Sequence, residues 1–223
     1  DNGHFLGYGN GKGFEFNLDS EVVFETPSIY GVHHDIHKTD RDTYLLIDAY
    51  FEGHPCPNEC GPNLPDVIVW QGDQFVEIDT NGNLVWDWKA FNQLSLDEYN
   101  PDWIDEVFDW THSNSVHYDP ITDMVYVSMR NLSRISAIDY QTKNIVWNLG
   151  NPDFMDEVFF DNDFGFSHQH SAQITKDGNV LFFDNGRNNE PEVSRCLEIE
   201  VNNGLEPDLV WEYVLPDSLL SLS

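Results

Sequence analysis

Five of the nine histidines in this 223-residue chain gather at three places, each just before a stretch that reads as a β-strand. His33 and His34 precede "DIHKTD", His112 precedes "SVHYD", and His168 and His170 precede "SAQITKDG". One such histidine is most often a structural hydrogen-bonding residue; three groups at the same phase of a repeating pattern point to a shared site. Asn114 beside His112 raises a question of its own, because histidine, asparagine and serine in "DWTHSNSVHYDP" are poor material for a strand interior. Clustered imidazoles support two chemistries. They hold a transition metal, or, with a guanidinium, they hold an oxyanion while one imidazole attacks it as a nucleophile. Arg130, ending "VYVSMR", favours the second, since a guanidinium repels a metal ion and grips a sulfate or phosphate through paired hydrogen bonds. No residue is therefore assigned to a metal. His4, His37, His54 and His117 do not share the phase and read as structural or surface residues. Arg134 and Arg187 read as solvated arginines.

The elements that must position these groups repeat. "FEFNLDSEVVFE", "FVEIDTNGNLVWDW", "SAIDYQTKNIVWNL" and "CLEIEVNNGLEPDLVWEY" each place a polar turn between an apolar strand and a strand that closes on Val plus an aromatic. The closing aromatics Phe24, Trp86, Trp147 and Trp211 are 62, 61 and 64 residues apart. Between them lies a second set of hairpins, "HDIHKTDRDTYLLIDAYF", "VHYDPITDMVYVSMR" and "AQITKDGNVLFFDNG". Two hairpins per unit make the four-stranded antiparallel blade of an all-β β-propeller. The expected units are a partial blade over 1–30 and blades over about 31–91, 110–150 and 168–215. That is about three and a half blades, so the segment reads as part of one propeller domain, truncated at both ends, with the remaining blades outside it. The tail "PDSLLSLS" runs out where a next strand is due. Equivalent strand entries converge on the axis of a propeller, which would unite positions 34, 112 and 170. Trp86, Trp147 and Trp211 should pack between sheets. Long loops enter the blades, and "SLDEYNPDWIDEVF" reads as a short helix behind a Ser95 cap.

Composition narrows the partners. Forty acidic residues against ten basic ones give a net charge of −30, which repels nucleic acid and anionic membranes. No apolar run reaches the roughly 20 residues that span a bilayer. Cys56 and Cys60, in "GHPCPNECGP", can close a small disulfide in an oxidising compartment, which implies a secreted, periplasmic or cell-surface protein. A metal site there would lack a fourth ligand beside His54. Cys196 has no evident partner.

The motifs "HHDI", "DWTHSNS" followed by "VSMRN", and "HQHSAQITKDGNVLFFDNG" resemble the arylsulfate sulfotransferase family. The resemblance runs along essentially the whole chain. It implies a six-bladed propeller that moves a sulfuryl group from an aryl sulfate to a phenol with no nucleotide donor and no cofactor. It also implies that His170, behind Gln169, is transiently sulfurylated, that His112, Arg130 and His34 are catalytic, and that Asn114 binds the sulfate. His33 and His168 are further candidate substrate ligands, and Ser171 stands where the family usually has Asp. Two other readings stay open: a non-catalytic propeller binding a sulfated or anionic ligand or a protein, and a histidine metal site.

Overall fold

The computed structural model describes residues 3–58, 60–151, 160, 162, 164–201 and 206–216. The tail "PDSLLSLS" beyond Pro216, most of the loop "NPDFMDEVFF" and the turn at 202–205 lie outside them. Strands β1 (Phe5–Gly9), β2 (Lys12–Phe16) and β3 (Val22–Glu25) form a first, three-stranded sheet. The second sheet runs β4 (Val32–Lys38), β5 (Tyr44–Pro55), β6 (Val67–Ile78) and β7 (Leu84–Lys89). A short strand, β8 (Val107–Asp109), adds to β6 in parallel. The third sheet is β9 (Ser113–Asp119), β10 (Met124–Met129), β11 (Arg134–Asp139) and β12 (Ile145–Gly150). The fourth is β13 (His170–Ile174), β14 (Val180–Asp184), β15 (Arg195–Glu200) and β16 (Asp208–Val214). Each is an antiparallel meander, and the first strands adjoin, β4 beside β9 and β9 beside β13. Successive meanders packed through their first strands are the blades of a β-propeller.

Local chemistry explains the repeat. The turn before the last strand is built on one side chain in three sheets: Asn17 Oδ1 accepts from Asp19 and Glu21 N–H, Asp79 Oδ1 from Asn81 and Asn83 N–H, and Asp139 Oδ1 from Thr142 N–H. Such a side chain imitates a backbone turn and fixes hairpin register. Aromatics then bury against the next sheet. Trp86 stacks on Tyr140 with centroids 5.4 Å apart and donates from Nε1 to the Tyr140 carbonyl. Arg41 closes the same junction, its guanidinium sandwiched between Tyr118 and Tyr140 and bonded to both oxygens of buried Glu77 at 3.0 Å.

Two expectations need correction. Trp86 and Trp147 are buried between sheets, but Trp211 is 47% exposed, because β16 is the outermost strand of the fourth sheet and no described sheet covers it. The loop after the second sheet holds no helix capped by Ser95. Its Oγ accepts from Asp97 N–H in a tight turn, and Asn100 instead caps a 3-10 turn at Pro101–Trp103. A residue before proline is driven away from helical angles, which breaks the segment at Asn100. A four-residue helix, α1 (Ala90–Gln93), sits just before it. Cys56 and Cys60 are joined in a disulfide, with Cα atoms 6.0 Å apart, at the tip of the long β5–β6 hairpin. Among the described residues no helix is long and apolar enough to cross a membrane.

Candidate functional site

The inner strands bend where they begin. Pairing slips between Val32 and Ile36 in β4, at Asn114 in β9, and between His170 and Gln173 in β13. His34, His112, His168 and Ser171 all have φ between 45° and 58°. Left-handed backbone at a non-glycine residue costs about 1–3 kcal/mol, and here it turns side chains of three sheets toward one axis.

In the second sheet, His33 Nε2 lies 3.0 Å from Asp73 Oδ1, and its Nδ1 lies 2.6 Å from His34 Nδ1. Burial works to lower the His33 pKa, but the Asp73 hydrogen bond and charge, with Asp109 and Asp48, raise it overall. His34 goes the other way, down to about 4, through burial and the neighbouring His33 and His112. Asp73 is itself buried and accepts further bonds from Thr111 Oγ1 and Ser113 N–H, both at 2.6 Å. It therefore fixes the chain on both sides of His112. The His112 ring packs 4.8 Å from that of His34 and its Nδ1 bonds to Asp109.

Arg130 begins a 3-10 turn after β10, with its N–H bonded to the His112 carbonyl. Its side chain is buried; Nη1 bonds Asn131 Oδ1 at 2.8 Å, and the guanidinium lies 4.8 Å over the Trp103 ring. Among the described residues no carboxylate forms an ion pair with it. Burial and the charge of Arg187 lower its pKa, against Asp109.

The segment before β13 completes the group. Gln169 is fully buried and anchors it, donating from Nε2 to Ser128 Oγ and to the Met129 and Arg134 carbonyls. Asn114 Nδ2 donates to the Gln169 carbonyl at 2.7 Å, while Asn114 Oδ1 and His168 Nδ1 are buried with no partner among the described residues. His168 is pushed down to about 4 by burial and by the charges of Arg130 and Arg187. His170 is also lowered, first by burial, and is therefore neutral at pH 7. Its Nδ1 lies 3.0 Å from the His168 carbonyl, which can only accept, so Nδ1 carries the proton and Nε2 keeps the lone pair. The Asn185 amide lies 3.3 Å from the same nitrogen.

The structure thus gathers His33, His34, His112, Asn114, Arg130, His168 and His170. Sequence reasoning missed Asp73, Asp109, Trp103 and Arg187. Asp109 had a local signal, three residues before His112; the others reach the site only through sheet geometry. Arg187 is half-buried, and its charge acts on Arg130 and His168. Residues on either side hold it at the site: Gly186 N–H bonds the Ser167 carbonyl and Asn188 N–H bonds Ser167 Oγ. Gly186 has φ +62°, and a Cβ there would meet the Val193 carbonyl oxygen at 1.8 Å. Arg134 is not solvated; it is buried in an ion pair with Glu98. A cavity of about 250 Å³ opens on the inner side of the site, lined by His34 and Asn114 together with His37 and His117. His37 and His117 therefore share the axis with the site, contrary to expectation, whereas His54 lies on the β5–β6 extension against Phe91. Among the described residues no three His, Cys, Asp or Glu side chains are arranged to hold a metal.

The arylsulfotransferase (ASST) family model matches residues 2–213, and the chain belongs to this family. No curated protein matches it. Solved structures that resemble it include the β-propeller domain of Myceliophteria thermophila Cps50 (Swd1), at 13% identity and TM-score 0.49 over 95% of this chain and 54% of that one. A protein of unknown function from Bacteroides caccae matches at 13% identity and TM-score 0.41, covering 94% of this chain and 72% of that one. The Dos1 propeller matches at 11% identity and TM-score 0.40, covering 90% and 53%. The chain spans about half the length of the first of these.

Proposed function

We propose that this chain carries the sulfuryl-transfer site of an arylsulfate sulfotransferase working through a sulfohistidine. The observation that supports it is Arg130, a buried guanidinium with no ion-paired carboxylate among the described residues, beside neutral imidazoles. A buried cation without an ion-paired carboxylate is costly, and an anionic substrate offsets that cost. The sulfate oxygens dock on Arg130, His34, His112 and Asn114, whose donors stabilise the charge that builds in the transition state. His170 Nε2 attacks sulfur, forming an N–S bond; the S–O bond to the ring breaks, its electron pair leaves with the phenoxide, and a neighbouring histidine, His112, delivers the proton. A second phenol then attacks the same sulfur, the N–S bond breaks back to neutral His170, and the phenolic proton returns to His112. The two half-reactions give ping-pong kinetics, and no cofactor takes part. The acceptor and donor are small aromatic molecules. The disulfide at the hairpin tip fits an oxidising compartment, so the proposed location is secreted, periplasmic or cell-surface.

The test uses a chromogenic aryl sulfate, with and without a phenol acceptor, on the full-length protein. His170→Ala should abolish turnover, and rapid quench of the wild type should trap acid-labile sulfate on His170 before acceptor is added. Turnover by His170→Ala at the wild-type rate would sink the proposal.

A further inference from the structure

Both ring nitrogens of His33 are in use. Nε2 lies 3.0 Å from Asp73 Oδ1 and Nδ1 lies 2.6 Å from Nδ1 of His34, so a buried carboxylate and two imidazoles stand in line. His33 has no nitrogen left for an anion. The far nitrogen of His34, Nε2, bonds no residue among those described. That ring packs against Tyr8 of β1 and against His112, and His170 acts on its charge.

Donors and acceptors along this line can be matched one by one. Burial works to raise the Asp73 pKa, but bonds from His33, Thr111 and Ser113 lower it overall. Asp73 is therefore an acceptor-only carboxylate, and His33 Nε2 must carry a proton. The contact between the two Nδ1 atoms then needs one proton, and two arrangements supply it. With His33 neutral, His34 donates from Nδ1 and keeps a bare lone pair on Nε2. With His33 protonated on both nitrogens, His34 accepts at Nδ1 and its Nε2 becomes an N–H donor. His34 is neutral in both. A sulfate oxygen only accepts hydrogen bonds, so the second arrangement alone lets His34 hold one. The added charge then rests on His33, beside Asp73 and with Asp109 of β8 and Asp48 of β5 nearby. Burial works to lower the His33 pKa, but these three carboxylates raise it overall.

We propose that His33 is a positioning residue for the reaction: clamped by Asp73, it takes up the proton that turns His34 from a hydrogen-bond acceptor into a donor to the sulfate. This rests on the sulfuryl-site reading for its ligand and adds that each sulfate enters with one proton, which is held one ring away from the anion. Sulfate binding is then full below the His33 pKa of the free protein, which lies above the ordinary 6.5, and weakens by about tenfold per pH unit once pH has risen past it.

Proton–nitrogen NMR of the histidine rings in the full-length protein, titrated with pH and then with sodium sulfate, reads which nitrogen carries each proton. The His34 proton should move from Nδ1 to Nε2 as His33 is protonated, and sulfate should drive the same exchange at a pH where His33 is neutral. Calorimetry of sulfate binding in buffers of different ionisation enthalpy should show uptake of one proton per sulfate above the His33 midpoint. His33→Asn, whose amide N–H does not titrate, should remove that uptake and flatten the pH dependence, whereas a merely structural His33 would leave the slope in place. The wild-type spectra decide the point if that variant does not fold. A His34 proton that stays on one nitrogen while His33 titrates, or proton uptake that survives in His33→Asn, overturns the proposal. The exchange with pH needs no sulfate, so an exchange seen in a protein that binds no sulfate strikes the sulfuryl-site reading and supports the control of His34 by His33.

Discussion

Arg130 and Arg134 lie four residues apart, both buried, and they are opposites. The Arg134 guanidinium is ion-paired with Glu98 and donates to Ser136 Oγ and Asn148 Oδ1. Arg130 has Asn131 Oδ1 and the face of Trp103, with His168 and Arg187 adding no negative charge. A buried cation with a full set of partners holds the fold together. One left short of charge beside unpartnered Asn114 Oδ1 and His168 Nδ1 is arranged for something that is not part of the protein. Burial alone does not separate structural from functional arginines; the inventory of partners does.

Breaking this contrast should give distinct phenotypes. The largest effect is expected from Arg134→Met, which leaves the Glu98 carboxylate buried and unpaired and should lower stability by about 3–5 kcal/mol in denaturant unfolding. Arg130→Met should leave stability unchanged or higher, while aryl sulfate turnover falls about 10²–10³-fold, roughly 2.7–4 kcal/mol of transition-state stabilisation. Equal loss of stability in both variants would erase the distinction.

Titration sharpens it further. His34 and His168 have folded pKa values near 4, below the ordinary 6.5, so the unfolded chain binds more protons between those values. Their contribution to stability is therefore full above about pH 6.5 and is lost as pH falls toward 4. Arg130 is a cause of the His168 shift after burial, so Arg130→Met should move the His168 midpoint upward by NMR, and the same change at Arg134 should not. Among the blade aromatics, Trp147→Ala, between sheets, should cost about 3–5 kcal/mol in denaturant unfolding.

The blade pattern was legible because closing aromatics and turn formers recur at near-constant spacing, and Asn17, Asp79 and Asp139 do the same work in each turn. Trp211 broke the pattern because burial depends on a neighbouring sheet, which spacing does not encode. The histidine phase was legible for the same reason as the blades. The axial place of His37 and His117 was not. They looked out of phase because strand alternation was assumed to run unbroken, and a bulge leaves no residue signature in "HHDIHK" or "HSNSVH". Trp103 and Asp73 reach the site from a capped loop and from β6, elements whose approach follows from sheet pairing and not from sequence distance.

Asp73 belongs to the second sheet, yet two of its three bonds are spent on Thr111 and Ser113, where the third begins. Repeat proteins are expected to evolve by copying, deleting and shuffling whole units. Here one carboxylate is joint property of two units, and a copied third blade set beside any other would strand a buried hydroxyl and a buried N–H. The chain is periodic in outline but not interchangeable in its parts, so recombination at this junction is closed to it unless an aspartate travels with the neighbour.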